Sequence, residues 1–170
     1  FWLRASGAVS KASFRRPHRI SWENLARVHT PELLESLGRP DVVASVFAVD
    51  PTDVPVDEVM TTVRLACGGT LGAARETLRS GAPALNLLGG FHHAGPSVAG
   101  GLCPVNDVAI AVATLRAEGL RGPVAVLDLD APPPHRAAAG ARADPGVWIR
   151  SLSRAGRGPL PRAGAAPLPP

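Results

Sequence analysis

Two adjacent histidines stand in Gly89-Gly90-Phe91-His92-His93-Ala94, and two aspartates stand 35 residues further on in Val126-Leu127-Asp128-Leu129-Asp130. These four side chains could do chemistry together. A neutral imidazole can take a proton from water, and a second one, protonated, can steady a developing oxyanion or protonate a leaving amine. A carboxylate behind either ring fixes its tautomer and raises its basicity. Asp-x-Asp at a strand end sends both carboxylates to one side, because side chains alternate with a period of two. One can then bind a metal while the other supports a histidine, which is a hydrolase pattern of metal, water and an Asp-held base. Each half alone is ordinary: a His-His pair suits a surface loop, and Asp-Leu-Asp suits a solvated strand end.

The elements that would bring the halves together read as α/β. Ala84-Leu85-Asn86-Leu87-Leu88, between Pro83 and Gly89, is predicted as a buried parallel strand. A Gly-rich loop then leads to a helix from about Val105 to Glu118, with Gly119 past its end, and Val124 to Asp128 is a second buried strand. Strand, helix, strand is a right-handed βαβ unit. Ligands of open α/β sheets sit outside the carboxyl ends of the strands, where His92, His93, Asp128 and Asp130 would meet.

Upstream, Ser21 opens a short helix over Trp22 to Val28, and Thr30-Pro31-Glu32 starts another: an N-cap hydroxyl, a first-turn proline and an acid on the positive end of the dipole. Gly38-Arg39-Pro40 stops it. The longest helical pattern runs from Val56 to Arg79, capped by Thr52 or Asp53 and stopped at Ser80-Gly81. Gly68, Gly69 and Gly72 interrupt it, which predicts close packing against a neighbour.

The 170 residues carry 18 Lys+Arg against 14 Asp+Glu, a formal charge of +4, and 17 of the 18 basic residues are Arg. Residues 1–130 balance to −1, whereas residues 131–170 hold 6 Arg and only Asp144, a balance of +5, so the basicity belongs to the tail. Of those last 40 residues, 30 are Ala, Pro, Gly or Arg, and only Gly146 to Ile149 reads as a strand; the rest is expected to be coil. Two cysteines exclude a disulfide scaffold and a four-cysteine zinc module. No apolar run approaches the ~18 residues of a membrane span, and Phe1 to Ser10 lacks the layout of a signal peptide. A cytoplasmic location is expected. The chain starts at Phe1 rather than Met, which leaves room for residues upstream.

Four ordered segments together carry a family resemblance: Arg27 to Leu37 (Val28-His29-Thr30-Pro31-Glu32-Leu33-Leu34), Gly68-Gly69-Thr70 with Ala73-Ala74, Gly89 to Ala94 followed by Gly101 to Ala111, and Val126 to Asp130. The stretch from about 21 to 131 resembles the histone deacetylase family, whose members include bacterial acetoin-utilisation and acetylpolyamine amidohydrolase-like proteins. The resemblance implies a three-layer arginase/deacetylase-type parallel sheet, present here as its N-terminal portion. It implies three regions: a basic irregular segment over 1–20, a partial deacetylase-like α/β domain over 21–131, and the tail over 132–170. It also implies a zinc-dependent deacylase acting on an acyl-lysine or acyl-polyamine amide. His92 and His93 would be the tandem acid–base histidines, Asp128 the carboxylate supporting them, and Asp130 a zinc ligand. Gly101 and Leu102 would line the channel for the acylated side chain. The backbone at Asp128 would help hold a structural potassium ion.

The chain departs from the pattern at decisive places. The family continues Asp-x-Asp-x-His with a zinc-ligand His, and Pro132 stands at that position here; His135 is a distant substitute. The later ligand Asp has no counterpart in context, and the family's transition-state Tyr has none at all, because the 170 residues contain no Tyr. The sequence therefore reads as the first half of a deacetylase joined to an altered tail, a pattern that GC-rich DNA read out of frame after codon 130 would produce. Two other classes stay open: a cysteine hydrolase using Cys103 at a helix entry, and a catalytically inactive remnant whose Arg-rich tail binds anionic partners non-specifically. Cys67 reads as packing, and His18 and His29 as structural or surface residues.

Overall fold

A computed structural model describes residues 5–7, 9–10, 13–130 and 144–151. In chain order the elements are α1 (Trp22–Ala26), α2 (Pro31–Ser36), α3 (Pro40–Phe47), a 3-10 turn (Pro51–Asp53), α4 (Val56–Ser80), α5 (Asp107–Ala117), β1 (Val124–Asp128) and β2 (Val147–Ser151).

The expected caps form at α1 and α2. Ser21 Oγ accepts from Asn24 N, and Thr30 Oγ1 accepts from Leu33 N, each meeting a first-turn amide that has no partner within the helix. The stop at Gly38-Arg39-Pro40 is also a start: Pro40 opens α3, a helix the sequence reading omitted, and Ala48 ends it in the left-handed region at φ 55°. Proline fits the first turn because its missing N–H would have had no helical partner there. Thr52 and Asp53 do not cap α4. They belong to the 3-10 turn that Asp50 caps, and Pro55 occupies the cap position of α4 without a side-chain bond.

Helix α4 is the long support of the fold. Met60, Val63, Cys67 and Leu71 give it a buried face, joined by Leu25, Leu33 and Leu37 from the first two helices and Ile110 and Leu115 from α5 in one apolar core. Two of the helix glycines answer close contacts. The segment before α1 lies across α4, where Ile20 N donates to Arg64 O and Arg64 Nε donates to Ile20 O. A Cβ on Gly68 would stand 1.7 Å from His18 O, and one on Gly69 would stand 2.5 Å from Asn86 Oδ1. Gly72 meets no such neighbour.

The sheet is parallel, with Val124 opposite Val147 and Asp128 opposite Ser151. It packs on α5 through Val112, Val124, Val126, Val147 and Ile149. Arg116 of α5 fixes the approach to β2: its Nε donates to Asp144 Oδ2 at 2.7 Å, and Gly146 N donates to Asp144 Oδ1. Strand β2 therefore forms where Gly146 to Ile149 predicted one, inside the segment read mainly as coil.

The strand expected over 84–88 does not form. Leu85 and Leu87 are 86% and 73% exposed, and the segment has no strand partner among the described residues. An unpaired strand leaves its backbone groups unmet. Asn86 holds this segment instead, donating from Nδ2 to Ala66 O and Thr70 Oγ1 on α4 and to Leu88 O.

Candidate active site

The loop after Asn86 carries the histidines, and buried side chains aim it. Asp107, the first residue of α5, is fully buried. Its Oδ1 accepts from Phe91 N at 2.7 Å, and its Oδ2 accepts from Gly90 N at 3.0 Å and from Thr70 Oγ1. Gly89 must be glycine here: its φ is +152°, and a Cβ would lie 2.6 Å from Asp107 Oδ2. Beyond the histidines, Asn106 caps α5 through Oδ1 to Ala109 N and donates from Nδ2 to Ala94 O. His29 closes this side. Its Nδ1 donates to Gly95 O at 3.0 Å, and its Nε2 accepts from Asn106 N at 2.9 Å. Both ring nitrogens are satisfied by the neutral imidazole, and burial pushes the His29 pKa down. The loop is therefore pinned on both sides of His92 and His93 by three polar groups from α5 and from the turn before α2.

The predicted site residues come together although the expected first strand is absent. His92 Nδ1 lies 3.4 Å from Asp128 Oδ2, and His92 Nε2 lies 3.3 Å from Asp130 Oδ2. His92 Nε2 and His93 Nε2 are 2.9 Å apart, so one ring donates to the other, and the rings meet edge to face at 4.1 Å between centroids. Asp128 Oδ1 also accepts from Asp130 N, which folds the strand end so that both carboxylates reach His92.

Gly101 and Leu102 are the central residues of a tight turn closed by paired Gly100–Cys103 backbone bonds. Both have positive φ, 59° and 63°, the pattern of a type I′ turn. Gly101 presses on His93: a Cβ there would stand 3.1 Å from the ring. Leu102 is exposed beside it. The Cys103 nucleophile reading does not hold. Its thiol donates to Gly101 O, and burial raises its pKa rather than lowering it. Cys67 is fully buried in the core, as expected of packing.

Sequence reasoning assigned no role to Asp107, Asn106, Asn86 or His29 as loop supports. Their signal was available in part: Asn106-Asp107 sits at a helix start, where such residues ordinarily serve the helix itself.

A zinc site of the family type would need Asp130 together with ligands at the Pro132 position and later. Pro132 and His135 lie outside the described residues, and proline has no ligand atom. Asp144 is taken by Arg116 and Gly146, far from this role. One family-type ligand falls short of the three that catalytic zinc uses, so the described residues do not fit the family's metal set. The reading of the tail as a binder of anionic partners also falls outside the described residues, apart from Arg150.

The fold and the cluster together define an α/β protein with an Asp-supported histidine pair at the end of a parallel strand. Comparison with known proteins gives the family. The histone deacetylase domain matches residues 2–167, and the chain belongs to that family. It is 37% identical over 109 residues to histone deacetylase clr6 of Schizosaccharomyces pombe, covering 58% of this chain and 27% of that protein. It is 35% identical over 112 residues to histone deacetylase 6 of Arabidopsis thaliana, covering 59% and 24%. The chain thus spans about a quarter of the curated relatives it matches. Among solved structures, a histone deacetylase homologue complexed with SAHA superposes with a TM-score of 0.71 at 24% identity, and the homologue from Aquifex aeolicus with 0.69 at 25%. Each match covers 89% of this chain and 42% of the other, so the fold is that of the deacetylases, in part. Among the described residues no helix is long and apolar enough to cross a membrane.

Proposed function

We propose that the chain carries the acid–base half of a zinc-dependent deacylase site, the kind that hydrolyses an acyl-lysine or acyl-polyamine amide. One observation carries the reading. Asp128 stands behind His92 Nδ1, while His92 Nε2 faces His93 and Asp130 at the strand end. A hydrogen on Nδ1, the side nearest Asp128, would leave His92 the Nε2 lone pair that a general base needs. The adjacent His93 ring shares that nitrogen's environment and is placed to return a proton to a leaving amine. Gly101 and Leu102 form one wall of the approach.

Among the described residues, only part of the family's metal set has a counterpart. Asp130 matches the family's zinc ligand, but Pro132 replaces the next one. On this reading, the 170 residues taken alone are expected to be inactive toward acyl-lysine amides. The test is the purified chain with added zinc, assayed on an acetyl-lysine peptide and on an acetylated polyamine. No release of acetate above background is expected. Steady turnover that His92→Ala abolishes would overturn the inactive reading.

A further inference from the structure

We propose that His29 is a proton-operated clamp: neutral, it positions the loop on the His93 side of the histidine pair, and a proton on its Nε2 releases that side alone. The inference concerns the hold on the loop and is read without turnover, so it stands apart from the acid–base reading of His92.

The bonds leave the ring one working form. Asn106 N carries a backbone hydrogen and can only donate, so His29 Nε2 must accept, and the ring hydrogen must sit on Nδ1, facing Gly95 O. A second hydrogen on Nε2 would point at the Asn106 hydrogen across 2.9 Å. His29 is itself held in place. It is 3% exposed, its N donates to Leu25 O, and the next residue, Thr30, donates from N to Pro96 O and caps α2.

The bond to Gly95 O survives protonation, because Nδ1 keeps its hydrogen. The break therefore falls at Asn106, where this side of the loop is gathered. Asn106 Nδ2 donates to Ala94 O, next to His93, and Asn106 Oδ1 caps α5 at Ala109 N. The other side rests on Asp107, which holds Gly90 N and Phe91 N. The titratable groups on the elements around the ring face other partners or solvent. Arg27, just past α1, bonds Asn24 and Glu23, and Glu32 and Glu35 of α2 are exposed. His93 faces His92, Cys103 donates to Gly101 O, and Asp107 accepts from Thr70, Gly90 and Phe91.

Burial pushes the His29 pKa down, against the carbonyls of Pro96 and Gly95, which raise it. The closed clamp thus excludes a proton that the open clamp accepts. Opening takes up one proton, so its equilibrium constant should rise by up to about tenfold per pH unit as pH falls below about 6.5, the value of a free imidazole.

The experiment is native-state hydrogen exchange of the full chain, read by NMR as protection factors on both sides of about pH 6.5, without and with low urea. Asn106 reports the clamp twice, through its backbone N–H on His29 and its side-chain amide on Ala94 O. Both should lose protection on acidification, with no dependence on urea, as befits a local opening. Phe91 N should keep its protection, and Cys67 N inside α4 should exchange only by the urea-sensitive global route. His29→Gln retains a donor and an acceptor but cannot titrate, and it should abolish the pH step at Asn106 while leaving any step due to Asp107 or the histidine pair in place. Ring-nitrogen shifts of the wild-type chain need no variant and should place the His29 hydrogen on Nδ1 at neutral pH. A hydrogen on Nε2, Asn106 protection that does not change with pH, a fall equally steep in His29→Gln or at Phe91 N, or a fall with the urea dependence of Cys67 N would each overturn the proposal.

Discussion

Replacing Asp107 with alanine should loosen the histidine loop before it disturbs the rest of the fold. The carboxylate is fully buried and accepts three hydrogen bonds, from Phe91 N, Gly90 N and Thr70 Oγ1. A buried donor left without its acceptor costs about 1–3 kcal/mol. Gly90 is exposed and Phe91 half-buried, so water can reach part of the loop and soften two of the three losses. The sum is about 3–5 kcal/mol, a large share of the roughly 5–15 kcal/mol that holds a domain together. Asp107→Asn keeps an acceptor at the Oδ2 position for two of the donors and turns an N–H toward Phe91, so its cost is about 1–3 kcal/mol. Urea unfolding gives the global number, and amide hydrogen exchange at Gly90 and Phe91 gives the local one. Both amides should exchange faster in either variant, with alanine the more severe. A loss under about 1 kcal/mol for Asp107→Ala, with exchange at Phe91 unchanged, would refute the claim that this carboxylate aims the loop.

Other outcomes follow from the same contacts. His29 has its pKa lowered by burial, so its contribution is complete above the unfolded value near 6.5 and is lost as pH falls from there toward the folded value. Unfolded chain takes up the proton first in that window, so stability should drop on acidification by at most about 1.4 kcal/mol per pH unit, and His29→Gln should flatten the slope measured by urea unfolding at several pH values. Gly68→Ala should cost several kcal/mol or prevent folding, because its Cβ would meet the His18 carbonyl, whereas Gly72→Ala, with open space around it, should raise thermal stability by up to about 1 kcal/mol. Thr30→Ala should cost about 1 kcal/mol through loss of the bond to Leu33 N. Cys67 should resist alkylation in the folded chain and react only after unfolding, since burial both covers its thiol and raises its pKa.

Local chemistry was the most legible part of the sequence. The caps at Ser21 and Thr30, the stop at Gly81 and the glycine contacts of α4 all follow from rules that act within a few residues. His92 and Asp128 do lie side by side, but not for the reason the sequence suggested, because the strand expected to carry the histidines beside β1 does not form. What failed was the strand over 84–88. Its apolar run satisfied the composition of a buried strand, but a strand is defined by a partner, and here Asn86 ties the segment to α4 instead. Helix α3 was hidden by Pro40, which reads equally as a stop and as a first turn. Asp107 and His29 were hidden because their partners are backbone groups of a distant loop, and no spacing rule reports such pairs.

Asp128, 3.4 Å from His92 Nδ1, is the group proposed to fix the tautomer of His92. Long-range proton–nitrogen NMR of the histidine rings, in buffer alkaline enough to keep imidazoles neutral, reads this directly. The hydrogen of His92 should sit on Nδ1 in the wild-type chain and redistribute toward Nε2 in Asp128→Ala. A wild-type His92 with its hydrogen on Nε2, or one unchanged by Asp128→Ala, would show that Asp128 does not set the His92 tautomer.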